Sequence, residues 1–299
     1  EVPLKFIFTV WSPPEALKWQ ATMSWAGDEN ATRSEGTVST KNGGTLNPNK
    51  YNEYAQWIKD GIQLYKDAGI DLYALSLQNE PMFKQTFNSC QYTKAWYNEL
   101  HNNVVPLIKQ DFPNVKIFGS ENMLEMEGAS NNYPYFYHHA ITNSATIDNI
   151  DIFAVHGYSD GLAPTSGSKL AESWTNHLEQ FATPKNKKTW MTETSGYLES
   201  WNNSTTRPGA LSLALDMHAA FYYGNASAWV WWQGSSLSTI NEFNLMKGTT
   251  EVGKKYAISK HFFRYIRPGA KRVEAVSSDD NNIFVTAYTH ATKATTTIV

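Results

Sequence analysis

The sequence predicts an α/β protein, a barrel of parallel strands and helices followed by a small β appendage, and three observations predict it. Short β-branched and aromatic runs alternate with segments of helical period along most of the chain, the pattern of βα units and a parallel sheet. The 299 residues suffice for one barrel-sized domain plus an appendage. Beyond Pro268 helical period gives way to short runs separated by Ser277-Ser278-Asp279-Asp280-Asn281-Asn282, the texture of antiparallel strands.

Six barrel strands are read, at 4–10, 72–77, 115–119, 150–158, 188–194 and 227–233. Between the first two, residues 11–48 are rich in Gly, Ser, Asn and Thr and read as one long functional loop. Tyr51, Tyr54, Ala55, Ile58, Ile62 and Tyr65 recur at spacings of three and four, so a helix with one inward stripe follows. Tyr92, Trp96, Leu100, Val104 and Leu107 repeat the pattern, with Pro106 expected to kink that helix or end it early. Further helices are expected at 133–141, 170–182, 209–223 and 253–267, and tail strands at 272–276, 283–289 and 294–299. The division this implies is a catalytic barrel over 1–268 and a side β domain over 269–299.

Composition narrows the function. With 25 basic and 28 acidic residues the net charge is −3, without the cationic excess that a phosphate backbone demands, so no nucleic acid is expected. No run of 18 apolar residues and no charged-then-apolar leader occurs, so neither a membrane partner nor a signal peptide is read; the expected site of action is nevertheless extracellular. Cys90 is the only cysteine, which rules out an intrachain disulfide. Aromatics make up 14% of the chain; many belong to the core, but flat apolar sugar faces also stack on such rings.

In parallel α/β proteins the active site gathers at the carboxyl ends of the strands. Three strands present a glutamate there: Glu80 in Gln78-Asn79-Glu80-Pro81, Glu193 in Thr192-Glu193, and Glu121 after Ile117-Phe118-Gly119. A glutamate so placed can equally cap a helix or pair with a lysine, and spacing alone does not choose two of the three. Glycoside hydrolysis needs one carboxylic acid and one carboxylate on opposite sides of the scissile bond, and Glu80 and Glu193, three strands apart, could face each other across a barrel mouth. Asn79 offers an amide for a sugar hydroxyl, Tyr158 a phenol for the Glu193 carboxylate, and Trp229-Val230-Trp231-Trp232-Gln233 leaves an indole near a strand end.

Trp11-Ser12-Pro13-Pro14, Gln78-Asn79-Glu80-Pro81, His156-Gly157-Tyr158, Thr192-Glu193 and Ala228-Trp229-Val230-Trp231-Trp232, in that order, resemble glycoside hydrolase family 30. Arg264-Tyr265-Ile266-Arg267-Pro268-Gly269-Ala270 is similar to that family's passage into a side β-sandwich. The resemblance implies a (β/α)8 barrel of the TIM type, here lacking the first two βα units because the first strand matches the family's third, with a partial C-terminal β-sandwich side domain. A complementing N-terminal segment is therefore an expected partner, beside the polysaccharide substrate. The resemblance also implies a retaining double displacement without cofactor or metal. In it Glu193 is the nucleophile and Glu80 the acid/base, Asn79 bonds the 2-hydroxyl, Tyr158 orients Glu193, and Trp11, His156 and Trp232 line the subsite of the attacked sugar. Glu121 then has a supporting role.

Resembling enzymes act on xylan, on β-1,6-glucans and galactans, and on glucosylceramide. The loop Gly234-Ser235-Ser236-Leu237-Ser238-Thr239 is neutral where readers of glucuronic-acid branches carry basic residues, so an endo-acting enzyme on neutral xylan is expected first. A β-1,6-glucanase, galactanase or β-glucanase is the alternative, as is a non-catalytic carbohydrate-binding fragment. Metal chemistry through His138-His139 with Glu121 or Asp151 is disfavoured, because adjacent helical histidines diverge and should sit on a wet face. No phosphate loop or nucleophile elbow stands where a strand meets a helix.

Overall fold

The computed structural model describes residues 4–38, 42–124, 135–158, 168–201, 208–292 and 295–298. The chain opens with β1 (Phe6–Thr9) and passes into an antiparallel sheet of β2 (Lys18–Thr22), β3 (Thr32–Ser34) and β4 (Thr45–Leu46), in the order β3-β2-β4. The reading of 11–48 as one loop is thus corrected. The Asp28 carboxylate accepts from the backbone and hydroxyl of Ser24 and from the Asn30 N–H, and this turn folds β3 back on β2.

Then come α1 (Tyr51–Asp67), β5 (Leu72–Ser76), α2 (Lys94–Asp111), β6 (Lys116–Met123), α3 (Phe136–Thr142), β7 (Ile152–His156), α4 (Lys169–His177) and β8 (Lys188–Glu193). The expected stripe on α1 is the buried one, through Tyr54, Ala55, Ile58 and Ile62. Thr93 caps α2 by accepting from the Trp96 N–H. Pro106 does not end α2, which runs on to Asp111. The proline lies on the exposed side, where the carbonyl it leaves unbonded can meet water, while Val104, Val105 and Ile108 hold the opposite side in the core. The helix expected over 170–182 is α4 followed by a π-helical turn, Leu178–Ala182. Residues 133 and 134 of the expected 133–141 helix lie outside the described residues.

β1, β5, β6, β7 and β8 form one parallel sheet in that order. The sixth expected strand lies beside β8 as a single parallel bridge, Met191 to Trp229, supported by N–H donations from Ser227 to Thr189, Met191 to Ala228, Val230 to Met191 and Trp232 to Thr194. Six strands spaced about 4.8 Å apart would put the outer two roughly 24 Å apart if flat. Instead the indoles of Trp11, just after β1, and Trp232, at the end of the sixth segment, are 5.3 Å apart, so the sheet is curled. Alternation sorts the side chains: Leu75, Ile117, Phe153 and Met191 face the helices, while Ala74, Phe118, Ile152, Ala154 and Trp190 pack together inside the curl.

The remaining elements are α5 (Ala210–Tyr222), a small sheet of β9 (Ser235–Ser236), β10 (Met246–Lys247) and β11 (Glu251–Val252), α6 (Lys254–Tyr265), and the antiparallel tail β12 (Lys271–Val273), β13 (Ala287–His290) and β14 (Thr295–Ile298). The tail rests on α5, with Arg272 over the Tyr222 ring and Phe284 5.5 Å from His218. Among the described residues no helix is long and apolar enough to cross a membrane.

Candidate active site

Two irregularities in the parallel sheet bring carboxylates into the curl. On β6 the register slips between Ser120 and Asn122, and Glu121 is the extra residue, with φ +57°. By alternation its side chain would follow Ile117 toward the helices; the bulge re-aims it inward. Between β7 and β8 the register slips at Val155/His156, so that His156 pairs with Glu193 and Thr192 is passed over. Glu80 follows β5 in a left-handed conformation, φ +43°, with its N–H donating to the Glu121 carbonyl at 3.2 Å. Two non-glycine residues in this region are a local strain that the surrounding structure sustains, a feature that gathers at functional sites.

His156, wholly buried, is the centre of the group. Its Nδ1 is 3.0 Å from Glu80 Oε1 and 3.9 Å from Glu193 Oε1, and its Nε2 is 3.8 Å from Glu121 Oε1. Glu80, His156 and Glu193 each offer one polar atom within 4.8 Å of the others, so a carboxylate oxygen of Glu80 and one of Glu193 are that close. Tyr158 donates its phenol to Glu193 Oε1 at 2.6 Å, and Gln85 Nε2 donates to Glu80 Oε2 at 2.8 Å.

Burial by itself would drive His156 neutral, but Glu121 and Glu80 at its two nitrogens and the charge of Glu193 outweigh it and raise its pKa to about 10. The ring is therefore an imidazolium at neutral pH. It has no lone pair for a metal, although the three side chains are close enough to surround one. Glu193 is raised above the usual carboxylate value, chiefly by burial; His156 and Tyr158 pull it down, and the charges of Glu80 and Glu121 push it up. Tyr158 is pushed up by burial and then by the Glu193 charge, so it stays a donor.

Of the expected binding residues, Trp11, just after β1, and Trp232, at the end of the sixth segment, stand against each other. Asn79 is buried, and its Oδ1 has no hydrogen-bond partner among the described residues. Gln78 Nε2 donates to the Trp11 carbonyl at 3.0 Å, tying the ends of β1 and β5 together.

Two residues of the segment after β5 escaped the sequence reading. Gln85 grips Glu80, and the half-exposed Phe87 extends the aromatic line with its ring 5.4 Å from Trp11. The segment is fixed by Ser89, whose hydroxyl accepts from the Gln85 N–H and whose carbonyl accepts from the buried Lys18. Nothing local marks these residues, because a loop carries no periodicity; Gln and Phe five and seven positions beyond Glu80 were the only signal.

The pair His138-His139 is elsewhere. His138 is buried, stacked at 5.3 Å on Phe153 and bonded through Nδ1 to Ser120 Oγ, which corrects the expectation of a wet face; His139 alone is exposed. Adjacent helical positions point about 100° apart, so one can enter the core while the other stays outside. Asp151 is engaged by Lys109 and Lys116.

No family model matches the chain. The glucuronoxylanase XynC of Bacillus subtilis (strain 168) is 25% identical to it over 287 residues, 93% of this chain. The chain spans 56% of the length of that relative. A glycoside hydrolase family 30 subfamily 8 xylanase from Clostridium acetobutylicum is 25% identical, with a TM-score of 0.66 over 95% of this chain and 61% of that structure. An endo-β1,6-glucanase shares the fold at a TM-score of 0.72 and 18% identity, over 97% of this chain and 62% of its own.

Proposed function

With the chain taken as a homologue of glycoside hydrolase family 30 enzymes, xylanase-type members among them, we propose that it is a retaining glycoside hydrolase acting on a β-linked polysaccharide, endo-β-1,4-xylan first. Glu193 attacks the anomeric carbon. Glu80 protonates the departing oxygen and then deprotonates the water that releases the glycosyl-enzyme. Asn79 bonds the 2-hydroxyl of the attacked sugar, Tyr158 orients the nucleophile, and Trp11 and Trp232 stack on the ring.

The observation that carries the reading is that one carboxylate oxygen of Glu80 lies within 4.8 Å of one of Glu193, close enough for the short separation of a retaining pair. Retaining enzymes hold their carboxyl groups about 5–5.5 Å apart, whereas inverting ones leave about 6.5–9.5 Å for a water. A β-1,6-glucan is the second substrate; like an unbranched xylan it is neutral and suits the uncharged, largely exposed stretch from Ser235 to Thr239 beside Trp232, which offers no cation to an acidic branch. Secretion fits a polymeric substrate that cannot enter a cell. β1 and the sixth segment are the outer strands of the described sheet, and a complementing segment pairing with those edges is part of the proposal.

Reducing-sugar release from xylan, β-1,6-glucan, β-glucan and galactan tests the reading, with Glu193→Ala beside the unsubstituted chain. Activity should vanish in the variant, and the first-formed product should keep the β configuration by NMR. Equal rates from the two proteins would end the hydrolase reading, and an α product would end retention.

A further inference from the structure

Glu121 is used by neither chemical step, yet it is built into the centre of the site. It is 2% exposed, it occupies the bulge of β6 at φ +57°, and its carbonyl holds the Glu80 N–H. Thr9 Oγ1 donates to its Oε1 at 3.3 Å, and the same oxygen stands 3.8 Å from His156 Nε2, a nitrogen with no hydrogen-bond partner among the described residues. Salt bridges to lysine or arginine are absent from its described contacts, so its carboxylate faces one cation, the imidazolium.

We propose that Glu121 is a positioning residue for the hydrolysis, its carboxylate holding the His156 ring as an imidazolium between Glu80 and Glu193. For its kinetic half the inference rests on the hydrolase reading above. Every titratable group facing the ring belongs to the site: Glu80 after β5, Glu121 on β6, and Glu193 on β8, with Tyr158 beyond the ring on its own segment. In the resting site Glu193 is the ionised catalytic carboxylate, and the cation 3.9 Å away favours that form. Once Glu80 has given up its proton and Glu193 has become an ester, the negative charge sits on Glu80, whose Oε1 is 3.0 Å from Nδ1 of the same ring. A fixed cation between them serves both halves of the cycle without moving, provided that it does not shed its proton to relieve its own burial. The Glu80 and Glu193 charges alternate during turnover, whereas Glu121 takes no part in the bond exchange.

The test is Glu121→Gln in the full chain, which keeps shape and removes charge. The imidazole signals of His156, assigned by comparison with His156→Asn, are followed by NMR titration. In the unsubstituted protein the ring should stay protonated through pH 8; in Glu121→Gln it should lose its proton roughly one unit or more lower. In the kinetic arm, kcat should fall more than KM rises, and the acid limb of kcat/KM should move to lower pH, because the Glu121 charge that pushes Glu193 up is gone while His156 is still protonated there. Thr9→Val, which removes only the hydroxyl on Glu121, should move both readouts the same way by less and covers the case in which Glu121→Gln does not fold. Identical His156 titration in variant and unsubstituted protein overturns the inference. A chain without hydrolytic activity overturns the functional reading, while the titration still decides the role of Glu121.

Discussion

His156 at the end of β7 and His101 on α2 are both 0% exposed, yet at neutral pH one is a cation and the other neutral. His101 packs its ring 4.7 Å from Tyr97, neither ring nitrogen has a hydrogen-bond partner among the described residues, and burial pushes its pKa down to about 3. His156 is buried as deeply, but three carboxylates reverse the direction and raise it to about 10. Depth therefore does not decide charge; neighbours do. The two rings also load the fold oppositely. Below the ordinary value of 6.5 an unfolded chain protonates His101 while the folded one refuses, so the stability present above that pH falls as pH drops from 6.5 toward 3. His156 holds a proton that an unfolded chain would lose, so its contribution is complete below pH 6.5 and is lost as pH rises toward 10.

Breaking the charged side of this pair should have the largest effect. His156→Asn removes the cation from both carboxylates, and kcat/KM should fall by roughly 10²–10³-fold, the range for losing one preorganised electrostatic partner. Its thermal midpoint should also depend less on pH between 7 and 10 than that of the unsubstituted chain. Catalysis within a few-fold of the unsubstituted protein would mean that the ring only fills space.

The same contrast shows what the sequence could and could not disclose. Strand ends are local, so Glu80, Glu193, His156 and Tyr158 were nameable from runs and motifs, but their convergence also needed the β7–β8 register slip and the left-handed turn at Glu80, which no run of residues announces. Helices with clear apolar stripes were read to within a few residues: 209–223 against α5 (Ala210–Tyr222), and 253–267 against α6 (Lys254–Tyr265). The inward turn of Glu121 was not legible, because a bulge is one extra residue with no composition of its own. The short strands β2 and β3 were missed because their polar, mostly half-exposed side chains blend with loop composition, and β4 because it is only the two residues Thr45 and Leu46. The sixth strand was read as an equal of the others but holds only one bridge, Met191 to Trp229, among the described residues. Between His138 and His139 the sequence offered two identical letters; the stack on Phe153 and the bond to Ser120 distinguish His138.

Sharpening the neutral side should give a smaller effect of opposite sign. In His101→Leu, a change of similar volume, a buried donor and a buried acceptor without partners disappear, which should raise stability at pH 7 by about 1 kcal/mol. Urea denaturation at pH 7 and at pH 4.5 measures both the gain and the expected shrinkage of the acid-induced loss. The pH–rate profile should stay where it was, because α2 carries no member of the carboxylate cluster. A destabilised variant with unchanged acid sensitivity would show that His101 is satisfied and not titrating as described.

The smallest effect should come from Tyr158→Phe, which leaves every charge in place and removes one donor. Glu193 already lies above the usual carboxylate range, and the phenol bond at 2.6 Å is one of the two influences that lower it. Without that bond the ionised form loses support, the pKa rises further, and the acid limb of kcat/KM, which reports the nucleophile in the free enzyme, moves to higher pH. A hydrogen bond to a charged group contributes about 1.5–3 kcal/mol when buried, and Tyr158 is half-buried, so the displacement should be about one unit or less. On the plateau above the limb the variant should approach the unsubstituted rate, because a nucleophile that is fully ionised no longer needs the phenol to stay so. A plateau lowered by the same factor as the limb would instead assign Tyr158 to aiming the carboxylate, leaving His156 as the group that sets its charge.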